Sequence, residues 1–225
     1  VLLGPGLKVY YHPWAEGLEH VPETGPAILA SNHLSFSDSI FLPLVLKRKV
    51  VFLGKSEYFT GKGIKGAATR AFMEGVGTIP VHRGGGRASE AALRTGLQVL
   101  GNGELLGIYP EGTRSADGRL YRGKTGVARL AIEADVPILP VAMIGTDVAQ
   151  PVGQKLPSRV DIGVRIGEPI HAADFTGKQD DRDALRDLTD AVMMAIQKLS
   201  GQEYVDRDSA QYKRELAKEA KNNAS

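Results

Sequence analysis

A histidine and an aspartate five residues apart, His33 and Asp38, stand where an apolar run gives way to small polar residues in Ser31-Asn32-His33-Leu34-Ser35-Phe36-Ser37-Asp38. An imidazole held by a carboxylate makes a general base, because the carboxylate fixes the tautomer and raises the basicity of the other ring nitrogen. On one continuous helix this spacing leaves the two side chains about 140° apart, since each residue turns about 100°. They can meet only if the chain turns between them. Ser35, Ser37 and Asp38 suit a turn and a helix N-cap ahead of the apolar IFLPLVL stretch. The competing reading is a capping aspartate beside an unrelated surface histidine.

A second set of reactive side chains lies in Tyr109-Pro110-Glu111-Gly112-Thr113-Arg114-Ser115, where Pro and Gly fix a tight loop around a carboxylate and a guanidinium. The guanidinium fork matches the oxygens of a phosphate bidentately. An ordinary Glu–Arg surface pair accounts for the same residues. In Gly77-Thr78-Ile79-Pro80-Val81-His82-Arg83 another arginine follows an apolar run, and Lys55 follows Val50–Gly54 in the same manner. His33, Lys55, Arg83 and Arg114 thus each stand just past a strand-like segment. A parallel sheet collects such ends on one rim, where open α/β folds bind ligands.

The elements that must do this positioning are legible from hydrophobic patterning. Ala27–Ser31, Val50–Gly54, Val76–Val81, Leu105–Tyr109 and Pro137–Ile144 read as buried strands. Their near-continuous apolar character predicts an α/β fold with a mainly parallel central sheet flanked by helices on both faces. Val160–Gly167 alternates apolar with polar or small residues and reads as a half-exposed edge strand. Ala88–Leu100, Lys124–Asp135 and the stripe Leu185, Leu188, Val192, Ile196 and Leu199 read as amphipathic helices. Residues 1–201 read as one domain and 202–225, rich in Lys, Glu and Ala, as an exposed helical tail.

Composition narrows the chemistry. The 225 residues include no cysteine, which removes disulfides, thiolate metal sites and thiol nucleophiles. No apolar run approaches the roughly 20 residues that span a bilayer. The chain begins at Val1, and VLLGPGLKVYYHPW fits the end of an amphipathic anchor, with an N-terminal piece missing, as well as it fits a packing segment. Net charge is only +2, but nine Lys or Arg face two acids between Lys47 and Arg87. That stretch creates a local positive field suited to an anionic surface. Nucleic acid is disfavoured, since aromatics are sparse and no recognition motif accompanies the charge. Gly118 to Thr125 matches the nucleotide-binding pattern GxxxxGK[ST], but a phosphate loop must spring directly from a buried strand and the residues before it are polar.

NHLSFSD, GTIPVHR, YPEGTRS and VPILPV occur in that order between Asn32 and Val141. Together they resemble the four ordered blocks of the glycerolipid acyltransferases, the family that contains 1-acyl-sn-glycerol-3-phosphate acyltransferase. Tyr109 stands where that family more often carries Phe. The resemblance implies a glycerol-phosphate-acyltransferase-like domain over 1–201, with His33 as base and Asp38 as its orienting partner. It further implies that Lys55, Arg83, Glu111, Gly112, Thr113 and Arg114 hold a phosphorylated acceptor. The expected reaction moves an acyl group from acyl-CoA or acyl carrier protein, as co-substrate, to the sn-2 hydroxyl of a lysophospholipid. No metal, cofactor or covalent intermediate is needed. The enzyme is expected at an anionic membrane surface on the cytoplasmic face, peripheral or anchored by the absent segment. Glycerol 3-phosphate, other lysophospholipids and glycolipids remain as acceptors, and a non-catalytic lipid-binding protein is the reading from another class.

Overall fold

The computed structural model describes residues 4–81, 85–151, 153–154 and 156–222, with the side chains of 85–87, 220 and 221 outside that set. The chain runs α1 (Gly4–Tyr11), β1 (Trp14–Glu16), β2 (Ala27–Ser31), α2 (Asp38–Val45), β3 (Val50–Lys55), α3 (Gly63–Gly75) and β4 (Thr78–Val81). It continues through α4 (Gly85–Gly101), β5 (Leu105–Ile108), β6 (Leu120–Tyr121), α5 (Gly126–Ala134), β7 (Ile138–Ile144) and α6 (Thr146–Ala149). The last elements are β8 (Gly163–Ile166), α7 (Arg182–Ser200), β9 (Tyr204–Val205) and α8 (Ser209–Asn222).

Seven strands form one sheet in the order β1-β8-β7-β2-β5-β3-β4. The five strands from β7 to β4 are mutually parallel, as the apolar runs predicted. The central strand β2 shows why both faces must be covered. Ile28 and Ala30 enter a core layer with Leu130, Leu188 and Val192 of α5 and α7, whereas Ala27 and Leu29 enter a second layer with Phe41 and Leu42 of α2. A period of two sends alternate side chains to opposite faces, so a strand buried on both leaves no position to solvent. The helix over 182–200 is capped as its sequence allows: Asp181 accepts the amides of Asp183 and Ala184, and Gly201 ends it in the left-handed region.

Two expectations change. Val160–Gly167 does not lie at an edge: β8 pairs antiparallel with β7 on one side and parallel with β1 on the other. The three-residue β1 covers it and is too short to give a periodic signal. Gly163 is required there, because a Cβ would collide with the Trp14 indole that packs on it. The segment after Gly201 is helical but not free. Its β9 pairs with β6 in a second, two-stranded sheet, Ser209 is buried, and Tyr212 stacks 5.3 Å from Tyr121. Arg119 lies 5.7 Å from the Tyr121 ring and 5.5 Å from the Tyr212 ring, joining the two strands' surroundings further.

Candidate active site

The parallel topology brings the C-terminal ends of β2, β3 and β5 to one rim, so the loops carrying His33, Lys55 and Glu111–Arg114 start side by side. After β2 the chain does turn back before α2. The fully buried Asp38 accepts the backbone amides of Leu34 and Ser35 at 2.8 and 2.9 Å through Oδ2. The same oxygen lies 2.8 Å from His33 Nδ1. One carboxylate oxygen thus folds the loop and orients the ring, leaving Nε2 as the nitrogen directed away from Asp38. The imidazole stacks on Tyr109 with centroids 3.8 Å apart and planes 10° from parallel. The Tyr109 hydroxyl shares a 2.7 Å hydrogen bond with Ser39, a contact that Phe cannot make. Ser35 and Ser37 serve the loop through hydrogen bonds. Both are buried, with the Ser35 hydroxyl donating to the Gln150 carbonyl and the Ser37 hydroxyl to Ser35 Oγ.

Asn32 fixes the start of this loop. Its amide accepts from Met143 N–H at 2.7 Å and donates to the Met143 carbonyl at 3.1 Å, which prolongs the β2–β7 pairing by a side chain. It also donates to Gln202, whose own amide donates to the Gly118 carbonyl.

Glu111 holds the two loops together. Proline at the second position of a Tyr109–Gly112 turn, closed by Gly112 N–H to Tyr109 O, directs the Glu111 side chain inward. Its Oε1 accepts His33 N–H at 3.2 Å and its Oε2 accepts Tyr121 N–H at 3.0 Å. Burial pushes its pKa up to about 7, with the two amide bonds opposing the rise. The side chain expected to bind acceptor is therefore occupied by backbone amides. Ser115 N–H closes the junction by donating to the His33 carbonyl at 2.7 Å. Gly112 has φ of 74°, and a Cβ there would press on the Lys124 side chain.

Two cavities meet at His33. One is a groove of about 640 Å³ between α4 and α5, floored by Phe52, Leu53 and Ile108 and walled by Ala92, Leu93 and Leu130. The other is a pocket of about 160 Å³ that gathers Lys55, Thr113, Arg114 and Lys213 beside Phe36 and Tyr58. Lys55, Thr113 and Arg114 thus converge with His33, and Gly112 lines the groove. Arg83 lies outside the described residues. Lys213 was not foreseen, and neither were the roles of Tyr109, Asn32 and Gln202. The nucleotide-like stretch is interrupted by β6, and its Tyr121 amide is the one bound to Glu111, so no phosphate-cradling loop exists there. Among the described residues, no group of His, Asp and Glu could hold a metal ion.

The chain as a whole has counterparts among known proteins. The chain belongs to the acyltransferase family: the family model described as Acyltransferase matches residues 13–144, which contain both the 31–38 and the 109–115 loops. Among curated relatives, it is 29% identical to the 1-acyl-sn-glycerol-3-phosphate acyltransferase of Bacillus subtilis over 86% of this chain and 88% of that one. It is 32% identical to the chloroplastic enzyme LPAT1 of Arabidopsis thaliana over 73% of this chain but 45% of the relative. The chain thus spans about half the length of the plant relatives it matches. The crystal structure of the 1-acyl-sn-glycerophosphate acyltransferase PlsC from Thermotoga maritima superposes with a TM-score of 0.66 at 26% identity, covering 88% of this chain and 77% of that one.

Proposed function

We propose that this protein transfers a fatty acyl group from acyl-CoA or acyl carrier protein to the sn-2 hydroxyl of 1-acyl-glycerol 3-phosphate, giving phosphatidic acid. The observation that carries the reading is the position of His33. Its Nδ1 is held by Asp38 at 2.8 Å, and the ring lies at the junction of the apolar groove with the cation-lined pocket. An acyl chain suits the groove because apolar side chains such as Phe52, Leu53, Leu93, Ile108 and Leu130 line much of it, and a phosphate monoester suits Lys55 and Arg114.

His33 Nε2 takes the proton of the acceptor hydroxyl as that oxygen attacks the thioester carbonyl carbon. Asp38 stabilises the imidazolium that forms. Collapse of the tetrahedral intermediate breaks the C–S bond, and the imidazolium returns its proton to the leaving thiolate, restoring the base. No covalent acyl-enzyme is required. Glu111 acts by holding the His33 backbone in place rather than by touching substrate.

A peripheral seat on the cytoplasmic face of an anionic membrane accompanies this reading. Ile64 is 92% exposed on α3 between exposed Lys62 and Lys65, and Val9 is 70% exposed beside Lys8 on α1. Such apolar residues flanked by cations favour contact with anionic headgroups. Among the described residues no helix is long and apolar enough to cross a membrane.

The test is an acceptor panel with labelled palmitoyl-CoA and palmitoyl-acyl carrier protein, with product position read by mass spectrometry. Transfer to position 2 of 1-acyl-glycerol 3-phosphate, ahead of glycerol 3-phosphate, other lysophospholipids and unphosphorylated monoacylglycerol, is the expected result. Transfer to monoacylglycerol alone would overturn the assignment.

A further inference from the structure

The segment after Gly201 lies outside the stretch matched by the family model, yet it reaches into the cation-lined pocket. Three contacts lead it there. Gln202 joins Asn32 to the Gly118 carbonyl. The β9 strand pairs with β6, so that Leu120 N–H meets Glu203 O at 2.9 Å and Arg122 N–H meets Arg207 O at 3.2 Å. On α8, Tyr212 packs against Tyr121 and Arg119, while Arg207 pairs with Glu215. This anchoring delivers the next residue, Lys213, to Thr113, where Nζ donates to Oγ1 at 3.2 Å.

The position is an unusual one for an ammonium group. Burial and the neighbouring Arg114 and Lys55 hold its pKa below the ordinary lysine value, with Glu111 pulling the other way. Among the described residues, no ion pair to a carboxylate involves Lys55, Arg114 or Lys213. Like charges gathered around one small pocket repel one another unless an anion completes the cluster. Glu111 is the carboxylate that attracts Lys213, and both of its oxygens are already bound to amides.

We propose that Lys213 is a third phosphate-binding cation, supplied by the C-terminal helix, and that it sets the preference for a phosphate monoester on the acceptor. The inference rests on the acceptor reading above. Two oxygens of a monoester can be met by the Arg114 fork, and the ammonium groups of Lys55 and Lys213, which line the same pocket, address the remaining charge. The anion belongs to the acceptor rather than to the coenzyme A moiety, because Lys55, Arg114 and Lys213 line the small pocket and none of them lines the groove assigned to the acyl chain.

Steady-state kinetics of the full chain with K213A, K213Q and K213R test this, with acceptor and donor varied separately. The acceptor KM for 1-acyl-glycerol 3-phosphate should rise about tenfold in the Ala and Gln variants, with kcat changed by less than about twofold. Arginine should restore most of the loss, and donor KM should not move. An unchanged acceptor KM, a rise in donor KM alone, or a fall in kcat that arginine does not rescue would each remove the lysine from phosphate binding. If the unaltered enzyme uses phosphorylated acceptors while K213A behaves identically, only this inference fails. If the unaltered enzyme ignores phosphorylated acceptors, the acceptor reading fails first and the lysine's role goes with it.

Discussion

The two cavities that meet at His33 are built by different means. The groove between α4 and α5 is about 640 Å³ and takes much of its lining, Leu53, Leu93, Ile108, Val127 and Leu130, from the core layer on that face. The pocket beside it is about a quarter of that volume, 160 Å³, and is lined at its charged end by residues from β3, the 109–115 loop and α8. Apolar surface is non-directional, so a groove lined by core residues tolerates a range of chain shapes. Charged hydrogen bonds are directional, and a misplaced cation loses most of its effect. Under the proposed reaction, the contrast makes donor tolerance and acceptor selectivity separable properties of this site, joined at one imidazole.

Substitutions can break that separation or sharpen it. Replacing His33 with Ala removes the element common to both halves. Turnover should fall on the order of 10³-fold with every donor and acceptor, while the thermal transition stays in place. Uniform loss in an acyl-transfer assay is the signature, and residual activity near that of the parent would refute the base assignment. Arg114→Ala acts on one half only. The acceptor KM should rise about 30-fold, with the donor KM unaltered, and added salt should affect the parent more than the variant. Ala92→Phe acts on the other half by filling the groove. Activity with long-chain thioesters should drop about tenfold while short-chain donors are spared, which a chain-length series would show.

The smallest effect on the comparison concerns the brace behind both cavities. Glu111 keeps its proton up to about pH 7 in the folded protein, against 4.5 for an ordinary glutamate. The stability owed to the neutral carboxyl is therefore fully present below the unfolded value and is lost as pH rises towards 7. That loss is on the order of 3 kcal/mol. Glu111→Gln should flatten this dependence, because the amide carries no titrating proton. It should also cost about 1–3 kcal/mol where its NH2 faces a backbone amide that has lost its acceptor. Urea unfolding of parent and variant at about pH 5 and about pH 8 measures both effects.

The sheet could be read from sequence because buried parallel strands leave unbroken apolar runs, as in Ala27–Ser31 and Pro137–Ile144. The His33–Asp38 contact was legible for a local reason: five residues, a turn between them, and one carboxylate oxygen able to serve ring and backbone together. Other parts carried no comparable signal. β1, β6 and β9 are two or three residues long and owe their existence to pairing rather than to periodicity. The family resemblance makes Glu111 an acceptor ligand, and nothing in the neighbouring sequence reveals that its carboxylate faces the His33 and Tyr121 amides. Lys213 meets Thr113 across 100 residues of chain, and its own neighbourhood reads as an ordinary polar helix face. Contacts fixed by tertiary docking have no spacing rule to betray them.

Trp14 is the sole tryptophan in the chain, and it lies against Gly163 with Arg165 stacked 5.4 Å from its ring, at the border of the sheet beyond β8 and β7. An indole so placed makes the protein its own optical gauge: emission should follow the unravelling of β1 from β8 while remaining indifferent to what occupies the cavities around His33. Fluorescence can then certify that a silent variant is still assembled, and catalytic assays can be interpreted without an attached dye.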